Sequence, residues 1–216
     1  MPSPICPWEL LPHALTAPSL VTAIAWLPRV AMPMTFDNVV SSRVYITDGT
    51  KFQEMNKVYT TYFTKEPPAR ATVIAPLMGP QYQIEITLTA SSLPKQVFTT
   101  PAADGTPGKP SPILSSAVKV GNRLYVSGLL GNTKETLGNP EAQTKEIMAR
   151  VERTLKAAGF GWNDVVDGIV YITDVKNFDA MNAGYRSVPH HHGEAETAIE
   201  PGDLLIVFDS ARAACS

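Results

Sequence analysis

Arg70 and Glu85 are the side chains best suited to chemistry in this chain of 216 residues. Arg70 ends the run Pro67-Pro68-Ala69-Arg70, and Glu85 sits within Gln81-Tyr82-Gln83-Ile84-Glu85-Ile86-Thr87. A guanidinium keeps its charge at any working pH and grips a carboxylate through paired hydrogen bonds. A carboxylate beside it can position or deprotonate a water. Together they make the two halves of a hydrolytic site for an anionic substrate. The competing reading of such a pair is a surface ion pair, which contributes little.

The flanking residues indicate the elements that must hold these two groups. The two prolines bias the backbone before Arg70 to extended form, and Ala71-Thr72-Val73 continues as an apolar, β-branched segment. Tyr82 to Leu88 alternates apolar and polar residues as a half-buried strand does, and Met78-Gly79-Pro80 reads as the turn between the two segments. The expectation is that Arg70 and Glu85 stand on neighbouring strands.

An internal repeat organises the rest. Val39 to Tyr59 matches Val165 to Tyr185 without a gap, with 11 identities in 21 positions, including Val44-Tyr45-Ile46-Thr47-Asp48 against Val170-Tyr171-Ile172-Thr173-Asp174. Each copy reads as strand, Asp-initiated turn and helix, with Phe52, Met55 and Tyr59 at helical spacing and core packing as their expected role. Only the second copy has a front half. Ser115 to Val120 and Arg123 to Ser127 form a hairpin around Gly121-Asn122, and Asn139-Pro140 opens a helix striped by Ile147, Met148, Val151 and Leu155 and ended by Gly159. At the repeat offset, Glu196 occupies the place of Arg70, and with a shortened turn Val207 occupies that of Glu85. The expected layout is an atypical extension over 1–33, a partial first copy over 34–92, a linker over 93–112 rich in Pro, Gly, Thr and Ala, and a second copy over 113–216.

Composition narrows the function classes. Net charge is −2 with dispersed Lys and Arg, which argues against nucleic acid as a partner. The chain has no apolar run long enough to cross a membrane, and prolines break the apolar stretch near Leu20 to Leu27, so neither a membrane span nor a signal peptide is expected. Two cysteines, Cys6 and Cys215, form no disulfide framework and suggest a reducing, cytoplasmic setting. His190-His191-His192 lacks metal-ligand spacing and reads as a solvated loop, so no metal site and no cofactor is expected. The first 33 residues read either as an extension with one short apolar helix from Ala17 to Leu27 or as a poorly ordered one. The repeat pattern stops abruptly at Met34 and after Val188, as a shifted reading frame would make it do.

Pro-Pro-Ala-Arg-x-Thr-Val with a following strand Glu, preceded by Val-Tyr-Ile-Thr-Asp and Phe-x-x-Met-Asn, resembles the Rid (reactive intermediate deaminase, YjgF/UK114) family. The likeness spans about 34–90 and 111–213, and Gly121 to Gly128 looks like that family's early hairpin. It implies an α+β fold of chorismate mutase-like domains, each a mixed β-sheet with helices on one face, the first copy incomplete, packed as trimer-like homo-oligomers. It implies hydrolysis of reactive imines and enamines such as 2-aminoacrylate to 2-keto acids and ammonia. Arg70 would then hold the substrate carboxylate and Glu85 would activate water. Asn56, Ser127 and Gly128 would line the pocket, with Ser127 of a second copy facing Arg70. Leu114 stands where the family often has tyrosine. The alternative is an inactive ligand-binding or scaffold member, given the truncated first copy and Glu196.

Overall fold

In a computed structural model of the chain, the structure describes residues 34–187 and the backbone of the strand at residues 205–212. The extension over 1–33, the His190–His192 cluster and Glu196 lie outside the described residues.

The first unit forms from one β-branched strand. Strand β1 (Val39–Ile46) buries Val39, Val40, Ser42, Val44 and Ile46 and is the central strand of a three-stranded sheet. Asp48 caps the following 3-10 turn by accepting from the Thr50 amide at 2.8 Å, and helix α1 (Phe52–Tyr62) begins there. β2 (Ala69–Ile74) returns parallel to β1, and β3 (Ile84–Ala90) pairs antiparallel on its other edge. Residues 75–83, with Met78-Gly79-Pro80, therefore cross over β1 instead of closing a hairpin between β2 and β3. The reason is that a parallel βαβ pair leaves β1 one free edge, and β3 fills it. Arg70 and Glu85 are thus separated by β1, contrary to the expectation of neighbouring strands.

The second unit carries its own sheet and two helices. β5 (Ala117–Val120) and β6 (Arg123–Val126) form the expected hairpin, with Gly121 at φ +55 in the first loop position. β4 (Lys95–Phe98) pairs with β5, so part of the expected linker is an edge strand; Gln96-Val97-Phe98 supplied that signal inside a turn-rich stretch. β7 (Leu129–Leu130), β8 (Val165–Tyr171) and β9 (Leu205–Arg212) complete this sheet, with antiparallel pairing at every described position. Asn139 caps helix α2 (Pro140–Ala157), accepting from the Ala142 amide at 3.0 Å, and Gly159 at φ +79 follows its end. The turns and helices of the first unit recur in order, with Asp174 capping the turn before helix α3 (Phe178–Tyr185) as Asp48 does before α1. The protein is α+β, with four layers: α1, the first sheet, the second sheet, then α2 with α3.

Strand alternation builds the three cores. Val44, Ile46, Met55, Tyr59 and Phe63 fill the space between α1 and the first sheet. Leu124, Ile147, Met148, Val151, Leu155, Val170 and Met181 fill that between the second sheet and its helices. The opposite faces of the sheets meet, Ala71, Val73 and Tyr45 against Tyr171 and Ile169, and Val40 and Ala69 against Val118, Val120 and Tyr125. At this seam the repeat-related Tyr45 and Tyr171 join hydroxyls at 2.8 Å.

Gly184 shows why the two units differ. A Cβ there would stand 2.7 Å from the Glu141 carbonyl and 2.7 Å from the Thr144 Cβ, so its absence lets α3 approach α2 closely. The corresponding residue of α1 is Val58, and among the described residues the first unit has no long helix to meet it. Gly184→Ala should therefore lower stability by about 1–3 kcal/mol through overpacking, whereas Val58→Ala should change it little, as read by urea unfolding.

Candidate active site

Arg70 sits on β2 directly opposite Ser42 of β1, and its side chain lies under α1. Only 4% of it is exposed. Its guanidinium carbon stands 4.7 Å from the Tyr59 ring centroid and 5.7 Å from that of Phe52, so two aromatic rings form its walls. The aromatics expected to be core residues thus have two roles: Met55 and Tyr59 pack into the core, while Tyr59 and Phe52 also flank the cation.

No carboxylate pairs with it among the described residues. The Arg70 Nε and Nη1 are buried and make no hydrogen bond, and burial pulls the guanidinium pKa below its usual value, with Tyr59 opposing the shift. Among the described residues, two further buried oxygens on the same sheet face and helix face, Asn56 Oδ1 and Thr72 Oγ1, have no partner, and Ser42 Oγ and Tyr59 Oη have none beyond each other. Ser42, Arg70 and Thr72 share a sheet face by register, and Asn56 lies between Phe52 and Tyr59 on one helix face. Buried polar atoms are ordinarily paired, and here they cluster around a cation whose own donors are unpaired among the described residues, which makes this the candidate site. Ser42, Tyr59 and Thr72 were not marked by sequence; only the fold shows that they share a space with Arg70.

Ser127 and Gly128 meet the main chain of Arg70 rather than its guanidinium. The Arg70 amide donates to Ser127 Oγ at 2.7 Å, and the Gly128 amide donates to the Arg70 carbonyl at 3.1 Å. Residues of the second unit thus reach the Arg70 strand within one chain.

Glu85 is not part of this group. It pairs in register with Tyr45, three residues along β1 from Ser42, so it projects from the opposite face of the sheet and is exposed. Leu114 is partly buried just before β5. Among the described residues no cluster of three or more His, Cys, Asp or Glu could hold a metal, and no helix is long and apolar enough to cross a membrane.

The family model described as endoribonuclease L-PSP matches residues 30–92 and 109–205. The chain belongs to this family, also called Rid. Among the Rid relatives, a RutC family protein of Saccharolobus solfataricus is 37% identical over 107 residues, which is 45% of this chain and 85% of that protein. The chloroplastic Reactive Intermediate Deaminase A of Arabidopsis thaliana is 30% identical over 104 residues, 46% of this chain and 54% of its own length. A crystal structure of RidA from an Antarctic Psychrobacter, 30% identical, covers 55% of this chain and 97% of its own, with a TM-score of 0.41. Each Rid relative thus matches about half of this chain, which carries the family match in two segments.

Buried phenols, Tyr59 beside Arg70 and Tyr185 in the second unit's core, make the fold sensitive to alkali. Burial pushes Tyr59 up to about 12, with the Ser42 hydroxyl and the Arg70 cation pulling the other way, and burial pushes Tyr185 up to about 12 as well. Both folded values lie above that of an unfolded tyrosine, near 10. Their contribution to stability is therefore complete below pH 10 and is lost as pH rises toward 12. Stability measured across that window should fall, and Tyr59→Phe should flatten the fall; an unchanged slope in the variant would contradict the assignment to Tyr59.

Proposed function

We propose that the protein hydrolyses reactive imines and enamines of 2-amino acids to 2-keto acids and ammonia. The observation that carries this reading is the buried guanidinium of Arg70 between Phe52 and Tyr59, unpaired among the described residues, whose free donors suit an anion. A substrate carboxylate supplies that anion in a geometry a guanidinium favours. The name of the Arabidopsis relative, Reactive Intermediate Deaminase A, supports the same reaction class. The endoribonuclease description of the family model fits less well with a net charge of −2 and dispersed Lys and Arg.

In this reading the enamine tautomerises to its imine, and the carboxylate docks on Arg70. The orphan Asn56 Oδ1 accepts a hydrogen bond from the imine N–H. Water adds to the imine carbon, forming a carbon–oxygen bond as the C=N electron pair moves to nitrogen. Loss of ammonia from the carbinolamine then leaves the 2-keto acid. Glu85 is the proposed acceptor for the water proton; it returns that proton to the nitrogen, and the carbinolamine hydroxyl gives up its own proton to the departing ammonia as the C=O forms. Because it projects from the sheet face opposite Arg70, it serves the pocket of a neighbouring chain in a homo-oligomer.

Two outcomes follow. Arg70→Ala should raise KM for 2-aminoacrylate generated in situ by at least about 100-fold, and Arg70→Lys should recover only part of the loss, as followed by keto acid formation. Wild-type activity no higher than Arg70→Ala would refute the reaction. Glu85→Gln should lower kcat with little change in KM. Co-expressed Arg70→Ala and Glu85→Gln chains should regain activity that neither has alone, and failure to do so would place both groups in one chain's site.

A further inference from the structure

The segment leading into Arg70 is held by donors that lie beyond residue 90, and it has few means of holding itself. Pro67 and Pro68 have no N–H, so a strand ladder cannot grip them from the donor side. Their carbonyls are gripped instead. Ser115 Oγ donates to the Pro67 carbonyl at 2.6 Å, and the Ser115 amide donates to that of Pro68 at 3.1 Å. One residue upstream, Glu66 sits at φ +43, a conformation uncommon for a residue with a side chain, and Lys95 Nζ donates to its carbonyl at 2.7 Å.

Ser127 closes the chain of contacts. It is 1% exposed, accepts from the Arg70 amide and donates its proton to the Ser115 carbonyl at 2.6 Å. A hydroxyl has a single proton to give. That of Ser127 is spent on Ser115, and its oxygen is engaged by Arg70.

We propose that Ser127 and Ser115 are positioning residues for Arg70 and not ligands of the substrate: they form a buried hydroxyl relay, contributed by the second unit, that sets the β2 main chain so that the guanidinium meets a small carboxylate. The proposal rests on the carboxylate-anchoring role of Arg70. It also gives the second unit a task within the same chain that is independent of any site of its own.

The test uses the full chain and the isosteric pair Ser127→Thr and Ser127→Val, which differ in the hydroxyl alone, with pyruvate as the probe. Ser127→Val should weaken pyruvate binding about tenfold, and Ser127→Thr should stay within about twofold of wild type. In an Arg70→Ala background the Val substitution should have no further effect, because a residue acting through Arg70 is fully coupled to it. Equal binding by the Thr and Val variants would overturn the proposal, and so would a further loss in the Arg70→Ala background, which would mark Ser127 as a direct ligand. Ser127→Ala, which adds no volume, is measured beside them and should behave as Val if the branched side chains are not accommodated. Should Arg70→Ala leave pyruvate binding unchanged, the carboxylate reading fails by itself. Hydrogen exchange of the Arg70 amide then decides the relay: at least about tenfold faster exchange in Val or Ala than in wild type supports it, and equal exchange overturns it.

Discussion

A cation buried without a counter-ion is the constraint on which this structure turns. Placing a guanidinium out of water costs several kcal/mol unless charges and hydrogen bonds replace its hydration. Around Arg70 the protein supplies two aromatic faces, which return about 0.5–2 kcal/mol of that cost, and, among the described residues, no carboxylate. The remaining deficit has to be met by an ordered surrounding. The surrounding is the α1 face above the arginine, β1 beside it, the second unit's Ser127 and Gly128 on its main chain, and Ser115 on the two prolines before it.

The two units are therefore interdependent. Each has its own helix-facing core, but the outer faces of their sheets are apolar and cover one another, so a separated first unit would expose Val40, Ala69, Ala71 and Val73. The first unit holds the arginine and the aromatic walls. The second holds the long helix, the hairpin and the donors that the proline-rich approach to β2 lacks. At the Tyr45–Tyr171 contact one residue meets its own repeat counterpart.

Much of the local structure was legible because local rules govern it. The Gly121-Asn122 hairpin, the Asn139 cap with Pro140, the Gly159 terminator and the Asp48 and Asp174 turns depend on a few adjacent residues and appear where the sequence places them. Arg70 and Asn56 stood out through the motif and the repeat, and the structure puts both on the buried side of the first sheet; Ser127 and Gly128, which the resemblance implied as pocket lining, meet the Arg70 main chain instead. The Lys95–Phe98 strand was hidden because its Val and Phe sit within a Pro- and Gly-rich stretch, and its partner β5 supplies the pairing. No role beside the arginine was legible for Ser42, Tyr59, Thr72 or Ser115, since a hydroxyl residue in a strand or a tyrosine at helical spacing looks the same whether or not it faces a buried charge.

Sequence by itself determined most of the element types, the repeat, the family and the choice of Arg70 as the cation worth following. Tertiary structure decided the partners. The Arg70–Glu85 pair was a statement about strand adjacency, and adjacency is set by which edge of β1 remains free after the βαβ crossover, a long-range choice that no local pattern encodes. With β1 between them and three residues of register separating Ser42 from Tyr45, the two side chains leave opposite faces of one sheet. The same topology turned Ser127 from a presumed pocket lining into a hydroxyl already occupied by the arginine's main chain.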